Sequence, residues 1–383
     1  MADGENPSVT RFREYLRIKT VQPNPDYESC KKWLLNQAKD IGLTSQVFEY
    51  VKGKPIILLT WTGRDPELPA ILLNSHTDVV PVFEDKWSCD PFEAYKRENG
   101  DIIARGAQDM KCVGTSYLEA IRCLKDQDKQ PCRTIHLSYV PDEEIGGHDG
   151  MKLFVKSEDF KKLNIGFALD EGIACPHNAL KVFYGERTTW WIDVITRGNT
   201  GHGSQFINDT AVSKLHRIIN KLLSFRESQE MQLEIGRDRS GRKYTLGNVT
   251  SINLTILQAG AQYNIIPQEA KAGFDIRISP DVNLKDFKEL LEKLIKSESD
   301  TTLEYVHYHG DNSCTPLDDK IFPAATDSRY LREFGIPALG VSYIKNTPVL
   351  LHDHDERINE NLFLEGIEFY TDLITHLANI QTI

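Results

Sequence analysis

The sequence predicts an α/β protein whose mixed sheet, covered by helices, is interrupted by an inserted domain of α+β order. Three observations carry this. Short continuous apolar runs alternate with helical patterns in the first half of the chain, the signature of a sheet buried on both faces. The middle of the chain changes to alternating strands around two helices, in the βαββαβ order of a ferredoxin-like unit. Residues suited to a single chemical cluster lie on both sides of that middle section, so it reads as an insertion. The expected domains are therefore 1–187 and 311–383 for the first and 188–310 for the insert, in a chain of 383 residues that is too long for one compact core.

In chain order, 8–19 and 27–41 read as amphipathic helices, with Ser8 as the N-cap of the first. Apolar runs at 56–61, 70–74, 134–140 and 165–169, each bounded by turn or polar residues, read as strands, and 110–124 reads as a helix. In the insert, strands are expected at 188–196, 249–258, 270–278 and 302–307, and helices at 211–225 and 283–295. The second of these helices carries Leu284, Phe287, Leu290, Leu291 and Leu294 at helical spacing.

Composition narrows the function. The chain is 40% apolar and 26% charged, an ordinary globular balance, and its formal net charge of −11 disfavours a nucleic-acid partner, whose phosphates need Lys and Arg. A small-molecule substrate is expected. The acidic start Met-Ala-Asp-Gly-Glu-Asn lacks the apolar stretch of a secretory signal, and no apolar run reaches membrane-spanning length. Seven widely spaced cysteines, never in Cys-x-x-Cys, indicate neither a disulfide framework nor a thiolate metal site, so a cytoplasmic setting is expected.

Five residues sit in segments that suit metal ligands: His76 in Asn-Ser-His-Thr-Asp, Asp109 in Arg-Gly-Ala-Gln-Asp-Met-Lys, Glu144 in Pro-Asp-Glu-Glu, Glu171 in Leu-Asp-Glu-Gly and His352 in Leu-His-Asp-His-Asp-Glu. Their charge of roughly −3 against about +4 for two divalent cations leaves room for one hydroxide, the electrostatics of a hydrolase. Each residue also has a blander role. Asp109 before a helix is ordinarily an N-cap, a Glu pair beside Gly146-Gly147 is ordinarily a solvated turn, and one of His352 and His354 is a surface residue. Asp78, two residues after His76 in extended geometry, can orient the imidazole. Of the pair Glu143 and Glu144, one can bind metal while the other stays free as a general base.

Taken in order with their flanks, these motifs are specific. The segments 72–82, 104–111, 140–148, 167–172 and 347–357 resemble those of the cocatalytic zinc amidohydrolases and peptidases, a family that includes aminoacylases, acetylornithine deacetylase, succinyl-diaminopimelate desuccinylase and carboxypeptidase G2, and the likeness runs almost end to end. The resemblance implies a zinc-peptidase-like catalytic domain with a lid or dimerisation insert, and hydrolysis of N-acyl-L-amino acids by two zinc ions per subunit. His76 and Glu171 would hold one ion, Glu144 and His352 the other, and Asp109 would bridge them. His352 is chosen over His354 because the family's ligand His precedes a Glu by four positions, as His352 precedes Glu356. Glu143 would be the general base and Asp78 the partner of His76, and the Asp109–Met110 peptide would be cis.

In the insert, His202 of Gly-His-Gly-Ser matches the residue that stabilises the tetrahedral intermediate, often across a homodimer. Asn264 and Arg277 match positions near the substrate carboxylate, and Ala324-Ala325-Thr326-Asp327 matches a small-residue loop beside the substrate. Read locally, His202 is an exposed loop residue and Arg277 a solvated strand position. The alternatives are a dipeptidase or carboxypeptidase of the same family, or a catalytically impaired relative. The latter arises because relatives carry a further helix and strand where this chain has only the polar stretch 311–320, too short for a crossover. The expectation is that the catalytic sheet lacks that strand and its helix.

Overall fold

In the computed structural model, residues 4–237, 241, 243–316 and 320–380 are described. The chain forms two compact units. One holds the residues up to Tyr184, Thr315 and those from Thr326 onward, and the other holds Gly185–Cys314 with Lys320–Ala325. The second unit thus takes in 185–187, 311–314 and 320–325, which the sequence reading assigned to the first. Side-chain and main-chain contacts account for this: Arg187 donates to the Pro323 carbonyl and Ile321 packs against Gly247.

In the first unit, strands lie side by side in the order Thr44–Val51, Lys54–Trp61, Ile135–Val140, Ala70–His76, Ile165–Glu171, Ala338–Ser342 and Lys181–Glu186. The strand at 70–76 runs parallel to both its neighbours, and the strand at 338–342 is parallel to that at 165–171. Period-2 alternation sends neighbouring side chains to opposite faces. Ile57, Leu59, Ile71 and Leu73 join a core with Phe12, Tyr15, Leu34, Tyr117, Ile121, Phe363 and Tyr370 from the helices Pro7–Leu16, Tyr27–Ile41, Lys111–Asp126 and Glu360–Asn379. Ile56, Leu58 and Leu72 face the other way, into a core with Met151, Phe154, Phe160, Tyr330 and Leu331. Both faces are therefore sealed, which explains why these strands read as unbroken apolar runs.

The chain leaves the 70–76 strand for 135–140 on one side and then crosses back to 165–171 on its other side, so the direction of connection reverses at this strand. Such a switch point opens a crevice at the carboxyl ends of the strands, where α/β sheets place ligands. His76 and Glu171 end two of these strands, and Glu143 and Glu144 follow the third.

Local chemistry differs from expectation in places. Asn6, not Ser8, caps the first helix: its side chain accepts from the Ser8 amide, and Pro7 occupies the first turn, where its missing N–H costs nothing. The edge strand Thr44–Val51 is largely exposed and interleaves polar residues with Val47, Phe48 and Tyr50, which is why no continuous apolar run announced it. The carboxyl-terminal helix Glu360–Asn379 packs Gly366 against the ring of Tyr343, and a β-carbon there would overlap that ring. Gly366→Ala is therefore expected to destabilise the protein by about 1–3 kcal/mol, read as a lower urea midpoint at unchanged slope.

The second unit has a four-stranded antiparallel sheet ordered Ser251–Ala259, Glu269–Ile278, Thr188–Arg197 and Thr301–Tyr308, which is the ferredoxin-like arrangement. Trp190, Ile192, Phe274 and Ile276 pack on Leu215, Ile218, Leu222, Phe287 and Leu291 of the helices Ala211–Ile235 and Leu284–Ile295. The first helix runs ten residues beyond the expected end at Phe225. Its buried positions stop at Leu222, but the i,i+4 pair Arg226–Glu230 and the left-handed Gly236 cap carry it to Ile235. Among the described residues between Tyr308 and Ser328 there is one short strand, Lys320–Phe322, and no helix, while 317–319 of the polar connection lie outside the described residues. Among the described residues no disulfide forms and no helix is long and apolar enough to cross a membrane.

Candidate metal centre

Segments more than 270 residues apart in sequence, from His76 to His352, converge in the first unit. His76 Nε2 lies 2.9 Å from Asp109 Oδ1 and 3.8 Å from Glu171 Oε1. On the other side, His352 Nε2 lies 3.4 Å from Asp109 Oδ2 and 3.0 Å from Glu144 Oε2. Two donors on one tetrahedral zinc, at about 2.0–2.2 Å each, stand about 3.3–3.6 Å apart. The observed spacings scatter around that value, and the two Asp109 oxygens face different imidazoles. A Glu143 oxygen also lies within 4.8 Å of His76 and Glu171 donors.

Most of the cluster is deeply placed: His76 is 1% exposed, and Asp109, Glu143 and Glu171 are buried, whereas the His352 ring is exposed at the mouth. Burial and the repulsion of Glu171 push the Glu143 carboxyl well above the usual range, and burial with repulsion from Asp109 does the same to Glu171. Burial and Asp109 raise Glu144 to about 7, while hydrogen bonds to Asp109 and Glu144 raise His352 to about 10. Without cations this cluster stabilises itself by retaining protons, which a bound metal would displace. Glu144 Oε1 is buried with no hydrogen-bond partner, a lone pair that a cation would satisfy. The residues fit a pair of divalent ions.

Several residues hold the donors in place. His76 Nδ1 lies 2.9 Å from the Asp78 carbonyl and 3.5 Å from the Asp78 carboxylate. A carbonyl only accepts, so Nδ1 carries a proton, and Nε2, which faces Asp109, is the nitrogen whose proton a cation would displace. Asp78 thus meets the ring mainly through its main chain. Its carboxylate accepts from the amides of Glu143 (3.1 Å) and Glu144 (3.2 Å) and from Gln22 Nε2 (2.8 Å), fixing the acidic turn.

Residues beyond the sequence expectation also contribute. Asp170 accepts from the Glu171 amide and from Asn74 through one oxygen and from Ser328 Oγ through the other. Arg329 and Tyr330 both donate to the Gly146 carbonyl, and Arg329 Nη1 lies 3.9 Å from Glu143 Oε1. No spacing rule links 328–330 to 143–146. The Asp109–Met110 peptide is cis, and His352 has φ of 61°, a left-handed conformation uncommon for a non-glycine residue. His354 lies two residues on, with its amide donating to the Asp353 side chain.

The remaining expected residues belong to the second unit. His202 is exposed, with Nδ1 2.8 Å from Ser204 Oγ, on a two-residue strand paired with Ile265–Ile266. The Gly203 amide donates to the Asn264 carbonyl, so His202 and Asn264 share one loop pair. Arg277 sits instead on the strand 269–278, its guanidinium forked onto Asp275 at 2.8 and 2.9 Å and donating to Thr189.

A family model described as peptidase family M20/M25/M40 matches residues 72–376. Aminoacylase-1 of Sus scrofa is 48% identical over 403 aligned positions, which cover 100% of this chain and 98% of that protein. About 20 of those positions have no counterpart in the 383 residues here. Aminoacylase-1 of Dictyostelium discoideum is 46% identical, covering 98% and 99% of the two chains. The crystal structure of an M20 family metallo-carboxypeptidase from Sulfolobus solfataricus shares the fold, with a TM-score of 0.76 at 17% identity, covering 98% of this chain and 100% of that one. With the matched model spanning most of the chain and close relatives spanning all of it, this protein belongs to the peptidase family M20/M25/M40.

Proposed function

We propose that this protein is a zinc-dependent N-acyl-L-amino-acid amidohydrolase, releasing a free L-amino acid and a carboxylate such as acetate. The observation that carries the reading is the double cluster on Asp109, with one imidazole and one glutamate on each side and a further buried carboxylate, Glu143, beside it. Full-length similarity to proteins named aminoacylase-1 supports the substrate class. His76, Asp109 and Glu171 would hold one zinc and Glu144, Asp109 and His352 the other. Two zinc ions would polarise the acyl carbonyl and make an attacking water acidic.

The chain's own residues do the rest. Glu143 takes the proton from the attacking water and returns it to the departing amine. Arg329 beside it balances the carboxylate before the proton arrives. Asp78 keeps Glu143 and Glu144 at fixed positions through their amides. Arg277 and Asn264 would bind the substrate carboxylate, and His202 of a second copy would donate to the developing oxyanion in a cytoplasmic homodimer.

The test compares N-acetyl-L-methionine with a dipeptide such as Ala-Met on one preparation whose metal content is measured. The acetylated substrate is expected to show a kcat/KM at least about tenfold higher, a difference of about 1.4 kcal/mol in transition-state binding. Preference for the dipeptide would assign the protein to the peptidase branch of the family instead.

A further inference from the structure

We infer that Gln108 and Glu356, neither of them a metal ligand, form a reciprocal clasp that positions Asp109, so that the binding of both ions depends on it. The inference rests on Asp109 being the ligand shared by the two sites. Glu356 is fully buried and its carboxylate gathers the loop that carries Asp109: Oε2 accepts from Arg105 Nη1 at 2.8 Å and the Gly106 amide at 3.0 Å, and Oε1 from the Gln108 amide at 2.6 Å and the Asp109 amide at 3.1 Å. Main-chain N–H groups that converge in this way make a nest for an anion. Gly106, at φ of 90°, lets the loop close on the carboxylate.

The return half of the clasp comes from Gln108, which is 2% exposed. Its Nε2 donates to the carbonyls of Pro348 (3.1 Å) and Arg357 (2.8 Å), and its Oε1 accepts from the Leu350 amide (3.1 Å). Each side chain therefore satisfies the main chain of the segment that carries the other. The segment 352–356 meets Asp109 at both ends: Glu356 holds its amide, while His352 Nε2 faces its Oδ2. Aspartate has only one methylene between main chain and carboxylate, so a shift of the 105–109 backbone passes directly to both ligand oxygens. Terminal ligands differ in this respect. Loss of His352 or Glu144 removes one contact from one ion, whereas a slack clasp displaces the oxygens that serve both.

The experiment uses the full chain carrying Glu356→Gln, Gln108→Ala, or both. Zinc is titrated against a competing chelator, and amide hydrogen exchange is followed on the metal-free proteins. Each single substitution is expected to weaken both ions by about 10–100-fold, the usual range for residues that orient ligands. The pair should cost no more than about threefold beyond the worse single change, because two halves of one device are not additive. In metal-free protein, exchange should accelerate in 105–109 while the strand 135–140 stays protected. Weakening of only one ion, affinities within about twofold of the parent, or fully additive losses would each overturn the clasp. If exchange rises everywhere in Glu356→Gln, Gln108→Ala decides the outcome. A parent protein that binds no pair of zinc ions would remove the shared-ligand reading and the clasp with it, whereas two tight ions with indifferent variants would remove the clasp alone.

Discussion

Glu143→Gln is expected to keep both metal ions and lose turnover by about 10²–10⁴-fold, the contribution of a positioned proton carrier. The substitution preserves volume and leaves the main-chain grip intact, because Asp78 holds the Glu143 amide rather than its side chain. What disappears is the only property glutamine lacks, the ability to accept a proton from water and return it to the amine. Glu144→Ala is expected to behave differently. It removes the oxygen 3.0 Å from His352 Nε2, so metal content should fall from about two ions to about one. The comparison is sharp because the two residues are adjacent, both close to His76, and both raised in proton affinity. Metal analysis of the two variants after identical dialysis decides it. Equal loss of zinc from both would mean that Glu143 is a ligand and that the base lies elsewhere.

The second large effect is recovery of activity from two dead proteins. His202→Ala and Glu143→Ala chains should each be inactive alone, yet after mixing and subunit exchange they should regain roughly a quarter of the parent activity, since about half the dimers are mixed and each mixed dimer rebuilds one site of two. The surface of the second unit favours pairing. The edge strand Ser251–Ala259 leaves Ile256 and Leu257 45% and 62% exposed, and an open apolar edge is a liability unless another strand or chain covers it. His202 also lies on an exposed loop with Phe206 uncovered close by in sequence and Tyr263 uncovered beside Asn264 on the paired loop. No recovery, with exchange demonstrated by differently tagged chains, would mean that His202 serves its own chain or takes no part in the reaction.

Much of this architecture was legible along the chain. Four buried strands announced themselves as continuous apolar runs because both faces are sealed, and the helix at 284–295 was marked by its apolar stripe, whereas the short buried strand Ala338–Ser342 and the helix Glu360–Asn379 went unread. Elements without that contrast stayed hidden: the exposed strand Thr44–Val51, and the last ten residues of Ala211–Ile235, which local charge pairing and a glycine cap sustain with little burial. The five candidate donors were recognisable only together, because each segment alone also had a blander reading while the five in order resemble those of the zinc amidohydrolases.

The amino-acid sequence by itself determined which side chains could serve, since imidazole and carboxylate chemistry belongs to residue type and local motif. Only the tertiary structure decided how they are held. The Asp78 carboxylate fixes the amides of the acidic turn while its carbonyl faces the His76 ring, Ser328 and Arg329 brace segments that precede them by more than 150 residues, and the side chains of Gln108 and Glu356 each bind the main chain of the segment that carries the other. Such partnerships leave no periodicity or spacing to read, because they arise only when the sheet brings distant loops to one edge and each buried polar group there must find whichever partner lies within reach.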